Sequence, residues 1–206
     1  ANSHPHDQGN TEVFNYWWLA HVIDGRIDAW ERSGDGRWLE AARTARDNIV
    51  ERNGGELFND YFDDRLWFAL ALERLHAATG DASYLDDAVA IWDHVIEHGW
   101  NETLGWSLAW RKQQLAYKSP PATAPLSILA VRLSRHDDSR DYLRYAHQAF
   151  DWLTTNLVSV DGFVEDGINR NGDGAVDTPW RFTYNQGLYV GAAVELFGVT
   201  DRRRYL

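Results

Sequence analysis

Cysteine and methionine are both missing from the 206 residues. Without cysteine there can be no disulfide and no thiolate metal site, so the redox compartment stays open. Lysine is nearly missing too: Lys112 and Lys118 are the only two, and every other basic residue is an arginine. Basic residues number 20 against 31 acidic ones, a net charge of −11. That balance argues against nucleic acid or an anionic membrane as partner, since both are met by basic patches. A neutral partner fits better. No run of about 18 apolar residues occurs, so nothing reads as a membrane span. The chain opens with neither an initiator methionine nor a signal-like apolar stretch. Its polar head, Ala1-Asn2-Ser3-His4-Pro5-His6, reads as a processed end, with residues 1–13 a loose segment.

What the chain has in plenty is tryptophan, 11 residues, within a hydrophobic content of 44%. Aromatics at this density build a large core, and in a protein with a neutral ligand some line a cleft. A helical unit recurs. Tyr16-Trp17-Trp18-Leu19-Ala20 is followed by Gly34-Asp35 and Trp38-Leu39; Leu66-Trp67-Phe68-Ala69 by Gly80-Asp81 and Tyr84-Leu85. Leu126-Ser127-Ile128-Leu129-Ala130 is followed by Asp138 and Tyr142-Leu143, and Leu188-Tyr189-Val190-Gly191-Ala192 by Asp201 and Tyr205-Leu206. Each unit reads as an apolar helix, an Asp-rich turn and an amphipathic helix; in the second, Val89, Trp92, Val95 and Ile96 share a face. Units that cannot bury their apolar faces alone must stack, as a solenoid or a closed α/α toroid. The fold class is therefore all-α, with Gly162-Phe163-Val164 the sole candidate strand. The fourth unit stops half-way, so the chain reads as part of a longer domain.

Asp63-Asp64 lies inside Asn59-Asp60-Tyr61-Phe62-Asp63-Asp64-Arg65-Leu66-Trp67. Paired carboxylates carry most glycoside hydrolysis, one as acid and the other as nucleophile or base, and aromatic faces suit sugar rings. The bland alternative is helix capping, for which Asp is favoured. Asp86-Asp87 and Asp137-Asp138 serve as internal controls in polar helix-start settings.

Other constellations are open to two readings. His94-Val95-Ile96-Glu97-His98 matches H-x-x-E-H, but its polar residues lie opposite the apolar stripe, as on a solvated helix face. Asn169, Asn171, Asp173 and Asp177 have the spacing of a calcium loop, yet Trp180 stands where the bidentate Glu belongs, and a Gly/Asn/Asp turn explains the segment equally. Trp110-Arg111-Lys112 and Tyr117-Lys118-Ser119-Pro120-Pro121 bound a stretch read as irregular, with Pro120-Pro121 excluding helix; it could form a binding wall or a plain connection. Thr183-Tyr184-Asn185-Gln186-Gly187 offers neutral donors and acceptors for hydroxyls, or else a cap ahead of core.

Taken in series, Phe14 to His21, Asn59 to Trp67, Trp110-Arg111-Lys112, Tyr117-Lys118, Asp166-Gly167-Ile168 and Thr183 to Gly187 resemble glycoside hydrolase family 76, the endo-α-1,6-mannanases. Ser119 stands where the family often has Asn. The resemblance implies an (α/α)6 toroid, of which a single partial catalytic domain over residues 1–206, about seven helices, is present. It implies retaining, endo-acting hydrolysis of α-1,6-mannan, with Asp63 as nucleophile and Asp64 as general acid/base. Asp166 matches a position expected to hold the sugar; Asn15, Asp60, Tyr61, Arg111, Lys118, Tyr184, Asn185 and Gln186 are further substrate-binding candidates, and Trp18, Trp67 and Trp110 are candidate cleft walls or else core. No cofactor is required, calcium being the one candidate; the partner is a neutral polysaccharide, and the location is secreted, periplasmic or cell-surface. Two other readings stand beside it: a mannan-binding module without turnover, and another α/α-toroid carbohydrate-active enzyme.

Overall fold

The computed structural model describes residues 15–206; Phe14 and the head segment 1–13 lie outside them. The described residues contain seven α-helices: α1 Tyr16–Ser33, α2 Arg37–Arg52, α3 Phe62–Thr79, α4 Ala82–Gly99, α5 Pro120–Leu133, α6 Tyr142–Asn156 and α7 Thr183–Thr200. A short 3-10 turn, Arg203–Tyr205, follows α7. The chain divides into two compact units, residues 15–59 with 67–92, and residues 60–66 with 93–206.

The recurring Gly-Asp turn has a physical reason. Gly34 and Gly80 adopt φ of 68° and 73°, and their N–H groups close the preceding helices onto Trp30 O and His76 O, both at 2.8 Å. The next residue then serves the following helix: Asp35 Oδ1 accepts from Arg37 N–H and Asp81 Oδ1 from Ser83 N–H, each at 3.0 Å. Glycine satisfies the left-handed closing position and aspartate the free N–H groups of the next helix.

In the first unit, α1 lies against α2, burying Ile23 and Ile27 against Ala42, Ala45 and Ile49. Arg74 on α3 reaches Asp24 and Asp28 on α1, at 3.1 and 2.6 Å, and Arg46 on α2 pairs with Asp87 on α4. The buried face of α4 runs through Tyr84, Ala88, Ile91, Trp92 and Val95, one turn apart, as its amphipathic pattern requires.

The second unit is built on α5, buried nearly all round and packed against α6, α7 and a small sheet. That sheet corrects the sequence expectation of helices with only residues 162–164 as a strand. Three antiparallel strands are present, β1 Trp100–Asn101, β2 Ser107–Arg111 and β3 Gln114–Lys118, and the end of β2 with all of β3 occupies the stretch read as irregular. The β2–β3 turn at Lys112-Gln113 has no Gly or Asn, so the usual hairpin signal is absent. Val164 forms a single bridge with Val158 instead of a strand. The proline expectation also fails. Pro120 and Pro121 open α5 at its first positions, where the missing N–H costs nothing, instead of excluding a helix. Gly99 is demanded by packing: a Cβ there would lie 2.8 Å from Leu108 and 2.9 Å from Phe62.

Candidate active site

α3 begins at Phe62, which puts Asp63 and Asp64 in its first turn. The approach to that turn is tied to the sheet. Tyr61 bridges Arg111, and Lys112 N–H donates to Asp60 O at 3.0 Å. Trp110 on β2 is thereby brought to the pair, and its indole Nε1–H donates to Asp63 Oδ2 at 2.9 Å. The other oxygen, Oδ1, accepts from the backbone N–H of Asp64 at 2.9 Å. The indole is clamped in turn: Tyr61 and Tyr117 meet it edge-on at 5.4 and 5.6 Å, and the Arg111 guanidinium lies 4.8 Å from its centre. Arg111 also donates to the Tyr61 hydroxyl at 3.3 Å.

Both oxygens of Asp63 therefore accept from neutral donors, and no donor brings a cationic charge. Asp63 keeps some exposed area, yet its carboxyl is packed round by protein atoms. Desolvation first, and the Asp64 carboxylate second, push Asp63 up to about 8, against the pull of the Trp110 and backbone hydrogen bonds. Two adjacent carboxyls in such a setting titrate as a unit and keep one proton between them near neutral pH. The two donors on Asp63 favour its anion and oppose that rise without cancelling it.

A second polar cluster stands on the β3, 166–177 and α7 segments. Asp166, only 6% exposed, accepts from Arg170 Nη2 at 2.7 Å, Tyr184 Oη at 3.3 Å and Asn185 Nδ2 at 3.1 Å. Arg170 Nε donates to Asp177 Oδ2 at 2.9 Å, and Arg170 Nη2 donates to the Tyr117 hydroxyl. Gly167 has to be glycine here, because a Cβ would collide with that hydroxyl and lie 2.8 Å from Lys118 O. Desolvation, then the Asp166 carboxylate, raise the Tyr184 phenol; a smaller push comes from Asp63, which links the two clusters electrostatically.

The remaining expected site residues divide. Asp60 is exposed and accepts from Gln113 at 2.8 Å. Lys118 turns inward, donating to Asn101 Oδ1 at 2.9 Å and Ser107 O at 2.8 Å, and burial lowers its amine to about 7. Gln186 spends its amide on Val164 and Phe182, bracing the loop ahead of α7. Asn15, Trp18 and Trp67 belong to the first unit. Asn15 there precedes α1, Trp18 meets Trp17 at 5.4 Å, and Trp67 meets the His21 ring at 4.6 Å. In the calcium-like loop, Asn169 Oδ1 accepts from Gly174 N–H at 2.8 Å, Asp173 Oδ1 from Ala175 N–H at 3.0 Å, and Asp177 faces Arg170 and Tyr117. Asn171 is the loop's remaining candidate. His94 and His98 stack at 4.0 Å on α4, and no cluster of three or more metal-binding side chains occurs among the described residues. Arg170 and Asn101 were not singled out as substrate-binding residues in the sequence, and Tyr117 figured there only in the candidate binding wall. The one available signal was the four-residue interval from Asp166 to Arg170.

Comparison with known proteins adds four findings. The family model described as glycosyl hydrolase family 76 matches residues 1–206. A protein of solved structure from Listeria innocua is 44% identical, with a TM-score of 0.92 over 98% of this chain and 58% of that one. The α-1,6-mannanase GH76A of Salegentibacter sp. HEL1_6 is 33% identical, with a TM-score of 0.91 over 96% of this chain and 59% of that one. A mannan endo-1,6-α-mannosidase of Candida glabrata is 29% identical over 90% of this chain and 46% of its own. The chain spans about half the length of the curated relatives it matches.

Proposed function

This chain belongs to glycosyl hydrolase family 76, and from that premise we propose that it hydrolyses α-1,6-linked mannan within the chain, using Asp63 and Asp64. Its fold class is the α/α toroid of that family, seven helices of which fall among the described residues. The observation that carries the proposal is the Trp110 indole held on Asp63 inside an aspartate pair whose joint charge is suppressed. Two oppositely suited carboxyls, one ionised and one protonated at the same pH, are what double displacement needs.

The steps follow from that arrangement. The Asp63 carboxylate attacks the anomeric carbon while Asp64 gives its proton to the departing glycosidic oxygen. A covalent glycosyl ester on Asp63 results, and the leaving chain diffuses away. Asp64, now ionised, takes a proton from water; that water's oxygen attacks the anomeric carbon, frees Asp63 and restores the starting protonation. Two inversions give net retention. Asp166 is too enclosed and too fully bonded to grip sugar itself. Its part is to hold the half-exposed Tyr184 ring and the buried Asn185 at the start of α7.

The neighbours support this reading. A form of the Salegentibacter enzyme with two consecutive aspartates changed to asparagines is described as inactive, and it holds α-1,6-mannotriose. Among the described residues no helix is long and apolar enough to cross a membrane. An endo-acting enzyme must meet its polymer outside the cell membrane, so we place the protein among secreted, periplasmic or surface proteins.

The deciding experiment is incubation with unbranched α-1,6-mannan while reducing ends and oligomer sizes are followed. Early release of short oligomers is the expected result. Binding of the polymer without any release would overturn hydrolysis and favour a mannan-binding function.

A further inference from the structure

A series of contacting flat groups leads away from the candidate dyad. Asp63 holds Trp110; the Trp110 ring meets Tyr117 edge-on at 5.6 Å; the Tyr117 ring covers the Arg170 guanidinium at 4.6 Å. The same guanidinium lies 5.2 Å from the ring centre of Trp180. Arg170 thus contacts two aromatic rings while Asp166 and Asp177 neutralise its charge. Trp180 remains 51% exposed.

From this we infer that Trp180 is a distal sugar-stacking position, binding a mannan unit some residues away from the bond that is cut. The inference rests on the hydrolase reading above, since the ladder matters only if a glycan lies along it.

The physical case has three parts. A sugar presents C–H groups from one face, and these sit well on an aromatic face that is electron-rich. A ring backed by a guanidinium is held flat without being covered, so its outer face needs no reorganisation to accept a ligand. The guanidinium is planar and forked, so it can bond two carboxylates while it contacts the rings. A protein with net charge −11 has no reason to display such a ring for a nucleic acid. Phe182 and Tyr184, stacked at 5.1 Å and both partly exposed, stand two and four residues further on, and Tyr184 is bonded to Asp166. The ring is therefore continuous with the dyad cluster through both Arg170 and the chain itself.

The test separates length dependence from chemistry. In the Asp63→Asn, Asp64→Asn double variant, calorimetry with linear α-1,6-manno-oligosaccharides from two to six units measures affinity without turnover. Affinity should rise with length, and adding Trp180→Ala should remove about five- to tenfold of that rise while leaving the disaccharide unaffected. In the active protein, Trp180→Ala should raise KM on long mannan by a similar factor with kcat unchanged, and Trp180→Phe should restore part of it. A length-dependent gain that survives Trp180→Ala overturns the inference while leaving hydrolysis intact. A parent protein that binds the oligosaccharides but never cleaves mannan overturns hydrolysis, and the same calorimetric comparison still decides Trp180. Absence of any length-dependent affinity overturns the stacking position outright.

Discussion

Asp63-Asp64 and Asp137-Asp138 are the same dipeptide in two regions of one fold, and they have opposite chemistry. Asp137, in the turn between α5 and α6, accepts from the Ser139 hydroxyl and N–H at 2.6 and 2.9 Å and lies 3.6 Å from Arg140. Those bonds hold its carboxyl below the usual range. Asp63 accepts from two neutral donors in an enclosed setting beside a second carboxyl, and it is pushed up to about 8. Asp137-Asp138 is a turn fitting, Asp63-Asp64 a proton store. The dipeptide does not decide between them; the partner segment does, because β2 brings Trp110 to one and solvent meets the other. Asp86-Asp87 is a third case, one turn into α4, where Asp87 is an ion-pair partner of Arg46.

The largest difference should appear in turnover. Asp63→Asn and Asp64→Asn should each lower kcat on mannan by about 1,000-fold or more, since groups acting as a unit fail together. Asp137→Asn should leave kcat within about twofold. Equal losses at both pairs, measured as reducing ends per enzyme, would break the contrast.

Next in size is Trp110→Phe, which removes the indole donor but keeps an aromatic ring. A hydrogen bond to a charged group contributes about 1.5–3 kcal/mol, so kcat should fall about 10- to 100-fold. Because that donor favours the Asp63 anion, its loss should move the acidic limb of the pH–rate profile to higher pH. A fall in kcat with an unmoved acidic limb would mean that Trp110 shapes the site without tuning the pair.

How much of this was legible beforehand differs between the same two regions. The helical hairpins were readable because Gly34-Asp35 and Gly80-Asp81 carry their own local chemistry, a left-handed residue followed by an N–H acceptor. The aspartate pair was readable from its aromatic neighbours. The hairpin that completes it was not, because Lys112-Gln113 is an unmarked turn and Pro120-Pro121 resembled a helix breaker while being a helix start. Arg170 was missed for a related reason: its role depends on Tyr117 and Asp177, which are close only after folding. Lys118 and Gln186 were expected to bind substrate, but their functional groups turn into the protein. Local signals survive in sequence, whereas side-chain direction is a tertiary outcome.

Stability should then separate the two pairs by sign. The folded Asp63 carboxyl titrates above its unfolded value of about 3.9, so the native state binds more protons between about pH 4 and pH 8. Its contribution is fully present below pH 4 and lost as pH rises through about 8. Asp63→Asn, which cannot ionise, should therefore melt higher than the parent at pH 8 to 9, by about 3 °C, with the gain vanishing near pH 4. Calorimetric scans at several pH values check this, and a gain independent of pH would argue that the charge of the pair is not what burial opposes.

The smallest expected effect is the mirror image of that one. Asp137 has a lowered folded value, so its contribution is present above its unfolded value and lost as pH falls through the folded one. Asp137→Ala should melt about 1–2 °C lower than the parent at pH 7, from loss of the two bonds to Ser139, and the difference should close in strong acid. Its activity should not change. The signs matter more than the sizes: at one pH, neutralising one aspartate stabilises and destroys turnover, while truncating the other destabilises and spares it. That crossed pattern is what separates a carboxyl kept under strain for chemistry from one that simply closes a turn, and no fold-wide loosening by either substitution reproduces it.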